Sequence, residues 1–159
     1  MALMELADSR EIAMAMVSNS KVDRRAGIAQ AASVIRAGAK YTAEQGSDYE
    51  PGVSAETVGS KALFLGVASL PAGARTRAHV HERHETALYV LSGELELWSG
   101  DELQQRATVH AGDYIYIPAN VLHVAVNRRE EPTVCIATRN EPTAQESVVL
   151  YPHMDGLVP

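Results

Sequence analysis

The sequence predicts an all-β protein built as a sandwich or a barrel, and three observations support this prediction. From about residue 62 onward, short segments rich in β-branched and aromatic residues follow one another, each bounded by Gly, Pro, Asn or Asp. Apolar and polar residues alternate in several of these segments, as in ELELWS at 94–99, which indicates strands with one buried and one exposed face. No helix of ordinary length fits after residue 60.

Length and charge limit the classes of protein that need to be considered. At 159 residues, of which 46% are hydrophobic, the chain can bury one sizeable core. The net charge of −6 and the lack of a basic run argue against a nucleic-acid partner. No apolar stretch approaches the roughly 20 residues that span a bilayer, and Glu5 and Asp8 interrupt any signal-peptide pattern. We therefore expect a cytoplasmic protein with no membrane partner.

The elements are expected in the following order. Residues 1–32 should form a partly helical arm, because Asp8 and Glu11 stand at capping-box spacing at the start of REIAMAMV. Residues 33–159 should form the β domain. Within it, residues 41–60 are rich in Gly, Ser and acidic side chains, which predicts a loop with one short strand. The strands expected after this loop are KALFLGVASL, RTRAHVH, TALYVLSG, ELELWSG, QQRATVH, DYIYIPA, HVAVN, PTVCIATRN and ESVVLYP.

Histidines and carboxylates concentrate in the segment AHVHERHETALYV. Alternation along RTRAHVH places Arg77, His79 and His81 on one face, with the two imidazoles about 7 Å apart along the strand. Both can reach one ion if that face borders a cavity, and Glu85 could add a carboxylate oxygen. A fourth donor is available from His123, which opens a strand after the turn at PAN. Such a mixed set of imidazole and carboxylate suits divalent transition metals.

These residues resemble the two sequence motifs of the cupins. The stretch from Gly73 to Gly93 resembles the first motif: HVH follows Gly73 after five residues, and Glu85 follows HVH after three more. The stretch from Gly112 through PAN to His123 and Asn127 resembles the second motif. The eighteen residues between Gly93 and Gly112 are a typical spacing. The resemblance covers roughly residues 60–140 and extends to a small RmlC-like group whose members are often labelled predicted mannose-6-phosphate isomerases. It implies a double-stranded β-helix, the jelly-roll barrel, and one divalent metal, Fe, Mn, Zn or Ni, held by His79, His81, Glu85 and His123.

The first motif departs from the usual pattern at its carboxylate. Six residues usually separate the glutamate from the closing glycine, whereas seven lie between Glu85 and Gly93. Strand register would then favour Thr86 at the ligand position, unless a β-bulge absorbs the extra residue. His84 is a further rival. The ligand position therefore stays open between these three residues, with Glu85 preferred.

Three more residues are candidates for substrate binding. Arg77 shares a face with the histidines, and its guanidinium could grip a carboxylate or phosphate through two hydrogen bonds. Tyr116 lies on one face of DYIYIP, and Asn127 closes the second motif. The substrate expected from this set is a small polar or anionic molecule, such as a sugar derivative or an organic acid.

The predicted function is that of a metal-dependent enzyme, either a dioxygenase or a sugar isomerase. Isomerisation requires a general base near the metal, and no spare carboxylate or lysine is available apart from Glu85, Glu56 and Lys61, which disfavours the isomerase. The alternative is a non-catalytic cupin that binds or senses a small molecule. Cupins commonly pair as homodimers, so we also expect a homodimer here.

Overall fold

β-Strands dominate the computed structural model, which describes residues 31–36 and 39–159. One short helix, α1 (Ala55–Val58), and a C-terminal 3₁₀-helix (Pro152–Leu157) accompany them. The strands of the described residues are β1 (Tyr41–Thr42), β2 (Asp48–Val53), β3 (Phe64–Leu70), β4 (His79–His81), β5 (Thr86–Ser92), β6 (Glu94–Ser99), β7 (Gln105–His110), β8 (Tyr114–Ile117), β9 (His123–Val126), β10 (Thr133–Arg139) and β11 (Val148–Leu150).

The strands form two antiparallel sheets. The six-stranded sheet has the order β1-β2-β3-β10-β5-β8, and the five-stranded sheet has the order β11-β4-β9-β6-β7. The chain crosses between the sheets at Gly93, which separates β5 from β6 and has φ 84°, a conformation that glycine adopts at little cost. The all-β prediction is confirmed. The described strands form two separate sheets rather than one closed barrel.

The sheets pack face to face through a core to which both contribute. One part of the core combines Val90 of β5 and Ile115 of β8 with Leu95 and Val109 of the other sheet. Cys135 belongs to this cluster and is buried as a free thiol, as its apolar sequence context predicts. A second part lies along the six-stranded sheet and contains Ala43, Tyr49, Phe64, Ala68 and Ala137.

A third cluster covers the opposite face of the five-stranded sheet. Val80, Val124 and Val126 pack there against residues of the C-terminal segment. Arg75 fixes this segment, because its guanidinium donates to the carbonyl oxygens of Val158 (2.7 Å) and Asp155 (2.9 Å). Since side chains alternate along a strand, burying Val80 and Val124 on this face turns the residues on either side of them inward.

The structure differs from the sequence prediction around residues 41–60. The predicted loop contains β1, the six-residue β2 and helix α1. Helix α1 begins with a capping box, in which the Ser54 hydroxyl accepts from the Thr57 backbone N–H and the Thr57 hydroxyl accepts from the Ser54 N–H. The predicted N-terminal arm at residues 1–32 lies almost entirely outside the described residues. Among the described residues, no helix has the length and apolar character required to cross a membrane.

Candidate metal centre

Three histidines meet on the inner face of the five-stranded sheet. His79 and His81 lie in β4, and His123 opens the neighbouring strand β9, where it stands directly opposite His79 in the antiparallel register. The ring centroid of His123 is 4.1 Å from that of His79 and 5.0 Å from that of His81. One nitrogen of each imidazole lies within 4.8 Å of the other two, and all three residues are buried. The two sequence motifs thus converge in space.

Backbone carbonyls determine how two of these imidazoles are presented. The Nδ1 atom of His79 lies 2.7 Å from the carbonyl oxygen of Arg77, and Nδ1 of His123 lies 2.9 Å from that of Val121. Since a carbonyl oxygen only accepts hydrogen bonds, Nδ1 of each ring carries the proton. Each neutral ring therefore keeps a lone pair on Nε2, the arrangement in which histidine binds a metal.

Burial keeps the three imidazoles neutral. Removal from water is the largest cause of the lowered pKa values of His79 and His123, and the neighbouring His123 and His81 lower that of His79 further. Burial also lowers the pKa of His81 to about 3, against an opposing effect of Glu146. Near neutral pH all three rings are unprotonated, and no proton has to leave before a metal binds.

A second group of ligand-type atoms shares His81 with the first. It consists of His81, His84 and Glu146, again with one ligand atom of each residue within 4.8 Å of the others. The Oε2 atom of Glu146 lies 3.4 Å from Nδ1 of His81 and 3.4 Å from Nε2 of His84. The other nitrogen of His84, Nδ1, lies 2.8 Å from Oε2 of Glu141, a residue nearer the surface. A buried chain of polar groups thus leads away from the histidine cluster.

Glu146 is ionised although it is buried. Burial alone would raise its pKa, but contacts with His84, Arg139, His81 and Gln45 outweigh that effect and lower the pKa to about 2. Gln45 donates to Oε1 of Glu146 at 2.6 Å, and the buried Arg139 guanidinium lies 3.7 Å from Oε2. Arg139 itself packs over the ring of Phe64 and donates to two backbone carbonyls.

Unsatisfied buried polar atoms are concentrated in this region. Native proteins pair nearly all such atoms, so a local group of exceptions calls for a physical explanation. Glu146 connects Gln45, His81, His84 and Arg139 through the contacts above, and Arg139 stands opposite Thr86 in the pairing of β10 with β5. Two of these atoms, His81 Nδ1 and Glu146 Oε2, face each other at 3.4 Å beside the three neutral imidazoles, and three imidazoles are a donor set that transition metals accept, so the residues present fit a metal. Among the described residues, the buried side-chain atoms without a hydrogen-bond partner are Gln45 Oε1, His81 Nδ1, His84 Nε2, Thr86 Oγ1, Arg139 Nε and Glu146 Oε2.

The preferred carboxylate ligand, Glu85, does not lie with the histidines. Its side chain is on the surface, where it accepts hydrogen bonds from the Tyr116 hydroxyl and the Asn140 amide. Strand β5 begins at the next residue, Thr86, whose buried side chain occupies the inward position that the register argument favoured. The pairing of β5 with β10 does skip one residue between Val90 and Ser92, but Thr86 and not Glu85 has the buried side chain. His84, the other rival, is buried beside His81.

The three predicted substrate-binding residues do not gather around the histidines. The side chain of Arg77 is 47% exposed and lies 3.9 Å from the carboxylate of Asp155. Tyr116 is 62% exposed on the outer face of the six-stranded sheet. Asn127 is buried, but its amide is fully occupied by backbone groups. Sequence reasoning placed these residues by strand parity and motif position, which do not reveal such local partners.

Sequence reasoning missed Glu146, Gln45 and Arg139. Gln45 and Glu146 are 101 residues apart in the chain, and no local pattern links them. One signal was present for Glu146: a charged residue two positions before the apolar run VVL shares a face with Val148 if the segment is extended. Strand β11 pairs with β4 so that Val148 stands opposite His81, which brings this segment next to the histidines.

Comparison with known proteins agrees with this fold. Residues 66–139 match the family model of the cupin domain. A quercetin 2,3-dioxygenase of Bacillus subtilis (strain 168) is 37% identical over 54 residues, which are 33% of this chain and 15% of that enzyme. This chain therefore spans only a small part of the length of that relative.

Two solved structures share the fold at lower sequence identity. A conserved protein of Klebsiella pneumoniae subsp. pneumoniae MGH 78578 with a double-stranded β-helix domain superposes with a TM-score of 0.55 and 18% identity, over 70% of this chain and 90% of that one. The oxalate decarboxylase of Lactobacillus farciminis, in its formate complex, gives a TM-score of 0.59 and 16% identity, over 70% of this chain and 33% of that one. At such identities the likeness concerns the fold alone.

Proposed function

The chain belongs to the cupin superfamily, with its cupin domain at residues 66–139, and we propose that it holds one divalent transition metal through His79, His81 and His123. The observation that carries this proposal is the convergence of three buried, neutral imidazoles, two of which have Nδ1 occupied by a backbone carbonyl. Three imidazole ligands leave coordination positions free for a substrate. Fe, Mn, Zn and Ni all accept this donor set.

We propose further that the protein is an oxygenase acting on a small polar or anionic molecule. A bound redox-active metal would supply a Lewis acid and electrons for reaction with O₂. The protein supplies a buried environment and neutral rings in fixed orientations. The 54-residue similarity to a quercetin 2,3-dioxygenase supports this reaction class over isomerisation. The buried carboxylate of Glu146 is committed to Gln45, His84 and Arg139, which leaves it poorly placed to act as an isomerase base.

Elemental analysis of the purified protein tests the metal site. We expect about one transition metal per chain in the wild type and loss of most of it in the variants His81→Ala and His123→Ala, since each removes one of three ligands. His110→Ala is the matched control, because His110 is exposed on β7 and lies outside both ligand groups. Equal metal content in wild type and His123→Ala would refute the site.

Oxygen consumption separates the reaction classes. The Fe(II)-loaded protein should consume O₂ with quercetin as the probe substrate, and His123→Ala should not. Conversion of mannose 6-phosphate by the Zn(II)-loaded protein without O₂ would support the isomerase instead. Metal binding with neither activity, together with a small molecule that co-purifies with the protein, would support a binding or sensing role.

We also propose that the protein forms a homodimer through the outer face of the six-stranded sheet. Tyr89 and Tyr114 face each other across β5 and β8, with ring centroids 4.9 Å apart, and Leu91 continues this apolar surface. Tyr114 is 82% exposed and Leu91 is 49% exposed, which is unusual for adjoining large side chains on one sheet. Light scattering should give twice the mass of the chain, and Tyr114→Glu should give the monomer mass. A monomeric wild type would refute the dimer.

A further inference from the structure

Among the residues that the structure describes, Glu146 is the carboxylate nearest to the histidine cluster, yet it belongs to neither sequence motif. It comes from the segment between β10 and β11 and is 6% exposed. An ionised carboxylate is buried only when its surroundings compensate the charge. Gln45, His84 and Arg139 do so: Gln45 donates to Oε1, whereas His84 and Arg139 lie near Oε2, the oxygen that also faces His81.

The three histidines show what Glu146 can contribute. His79 and His123 each have a backbone carbonyl at Nδ1, which fixes the proton there and leaves Nε2 free to bind a metal. Among the described residues, His81 has no hydrogen-bond partner at Nδ1, and the closest acidic atom is Oε2 of Glu146 at 3.4 Å. The carboxylate thus stands where the other two rings have their carbonyls.

We propose that Glu146 is a positioning residue of the metal centre, accepting the Nδ1 proton of His81 so that His81 presents Nε2 to the metal. This inference rests on the proposed three-histidine site. A carboxylate in this place fixes both the tautomer and the ring orientation, and it makes the ring more basic toward a metal. His81 is then the one ligand with an anionic partner.

The same arrangement accounts for the unusual first motif. Thr86 stands at the inward position of β5 where the resemblance leads one to expect a carboxylate, and a threonine hydroxyl brings no charge. Glu146 does not fall within one common 4.8 Å group with His79 and His123, whereas it does with His81 and His84. Glu146 therefore affects the metal through His81 and does not bind the metal directly.

The tautomer of His81 can be measured without any substitution. In the Zn(II)-loaded wild type labelled with ¹⁵N-histidine, long-range ¹H–¹⁵N correlation spectra should show Nδ1 of His81 protonated and Nε2 bound to the metal. Metal coordination through Nδ1 of His81, or a second zinc per chain held with His84 and Glu146, would overturn the inference.

Substitution of Glu146 tests the effect on affinity. Competition with a chromophoric chelator should show zinc binding about 10- to 100-fold weaker in Glu146→Gln than in the wild type. Glu146→Asp, which keeps the charge, should recover part of that loss. The control is Glu141→Gln, because Glu141 contacts His84 but not His81, and its affinity should match the wild type.

The outcomes distinguish this inference from the proposed function. A wild type that takes up no zinc would refute the metal site itself. Zinc uptake that depends on His79 and His123 but is equally tight in Glu146→Gln would refute only the role of Glu146. Circular dichroism of the metal-free variants shows whether each is folded. If Glu146→Gln is unfolded, the tautomer of His81 in the zinc-loaded wild type tests the role of Glu146 instead.

Discussion

The side chain of Asn127 illustrates how one buried amide can hold several loops together. Its Nδ2 group donates to the carbonyl oxygens of Leu70, Pro71 and Glu131, and its Oδ1 accepts from the backbone N–H of Arg129. These partners belong to the ends of β3 and β9 and to the turn before β10. Asn127 therefore stabilises the junction of two strands and a turn, and it has no free group for a substrate.

Replacement of Asn127 by alanine should destabilise the fold without emptying the metal site. The variant leaves buried carbonyl and N–H groups unpaired, and we expect a loss of about 2 to 3 kcal/mol in the free energy of unfolding. Urea denaturation measures this loss, and elemental analysis should still give one metal per chain. A variant as stable as the wild type would show that water replaces the amide.

Substitution of Glu85 should leave the metal site unchanged. The carboxylate is exposed and bonds to Tyr116 and Asn140, so Glu85→Gln weakens only an interaction on the surface. We expect the metal content of this variant to equal that of the wild type. Tyr116→Phe, which removes the donor of the same hydrogen bond, is the matched control. Loss of metal in Glu85→Gln alone would restore Glu85 as a ligand.

At the scale of elements, β4 and β5 show what the sequence can and cannot predict. Alternation alone predicts that His79 and His81 share one face of β4, and turn residues together with alternation predict that β9 begins at His123. The structure brings these three of the four predicted ligands together. The fourth predicted ligand, Glu85, depended on the residue at which β5 begins. The pairing of β5 with β8 and β10 determines that residue, and a shift of one residue reverses the direction of each side chain. Glu146 could not be predicted, because its position depends on β11 pairing with β4 from the far end of the chain.

Gly93 allows β5 and β6 to belong to different sheets. A Cβ atom at this position would lie 2.8 Å from the Pro132 carbonyl oxygen and 2.8 Å from the Thr133 Cα atom, both of which are backbone. Its φ of 84° is also unfavourable for any residue with a side chain. The turn thus requires glycine for two independent reasons.

Comparison of two alanine variants separates these reasons. Gly112 has a similar φ of 95°, but a Cβ atom added there would have no neighbouring atom within 4 Å. Gly112→Ala should therefore lose only about 1 to 2 kcal/mol from backbone strain, whereas Gly93→Ala should lose a further 1 to 3 kcal/mol or so from the steric clash. Urea denaturation of both variants measures the difference, and equal losses would mean that the backbone near Thr133 yields easily.

For the whole molecule, the face-to-face packing of the sheets places the ionisable centre in the interior. The valine side of β4 and β9 is covered by the C-terminal segment, and their histidine side faces the other sheet. Folding therefore removes His79, His81 and His123 from water together. Since burial lowers all three pKa values, the stability of the metal-free fold is coupled to pH.

The metal-free protein should lose stability as the pH falls from 7 to 5.5. In the unfolded chain each histidine takes up a proton near its ordinary pKa of 6.5, while in the folded chain the lowered pKa opposes protonation. The unfolded state then binds more protons, so acid favours unfolding, by about 1 kcal/mol over this range for His81, whose folded-state pKa is about 3. Glu146, with a pKa of about 2, adds to the loss only at lower pH.

Urea denaturation in the presence of a chelator, at pH 7 and at pH 5.5, measures this coupling. His81→Gln should lose about 1 kcal/mol less stability over the range than the wild type, because the ring whose folded-state pKa is about 3 is gone. His110→Gln should behave as the wild type does, since His110 is exposed in the folded state. A wild-type unfolding midpoint that stays constant between these pH values would mean that water reaches the three rings, and that the sheets do not enclose them as tightly as their burial indicates.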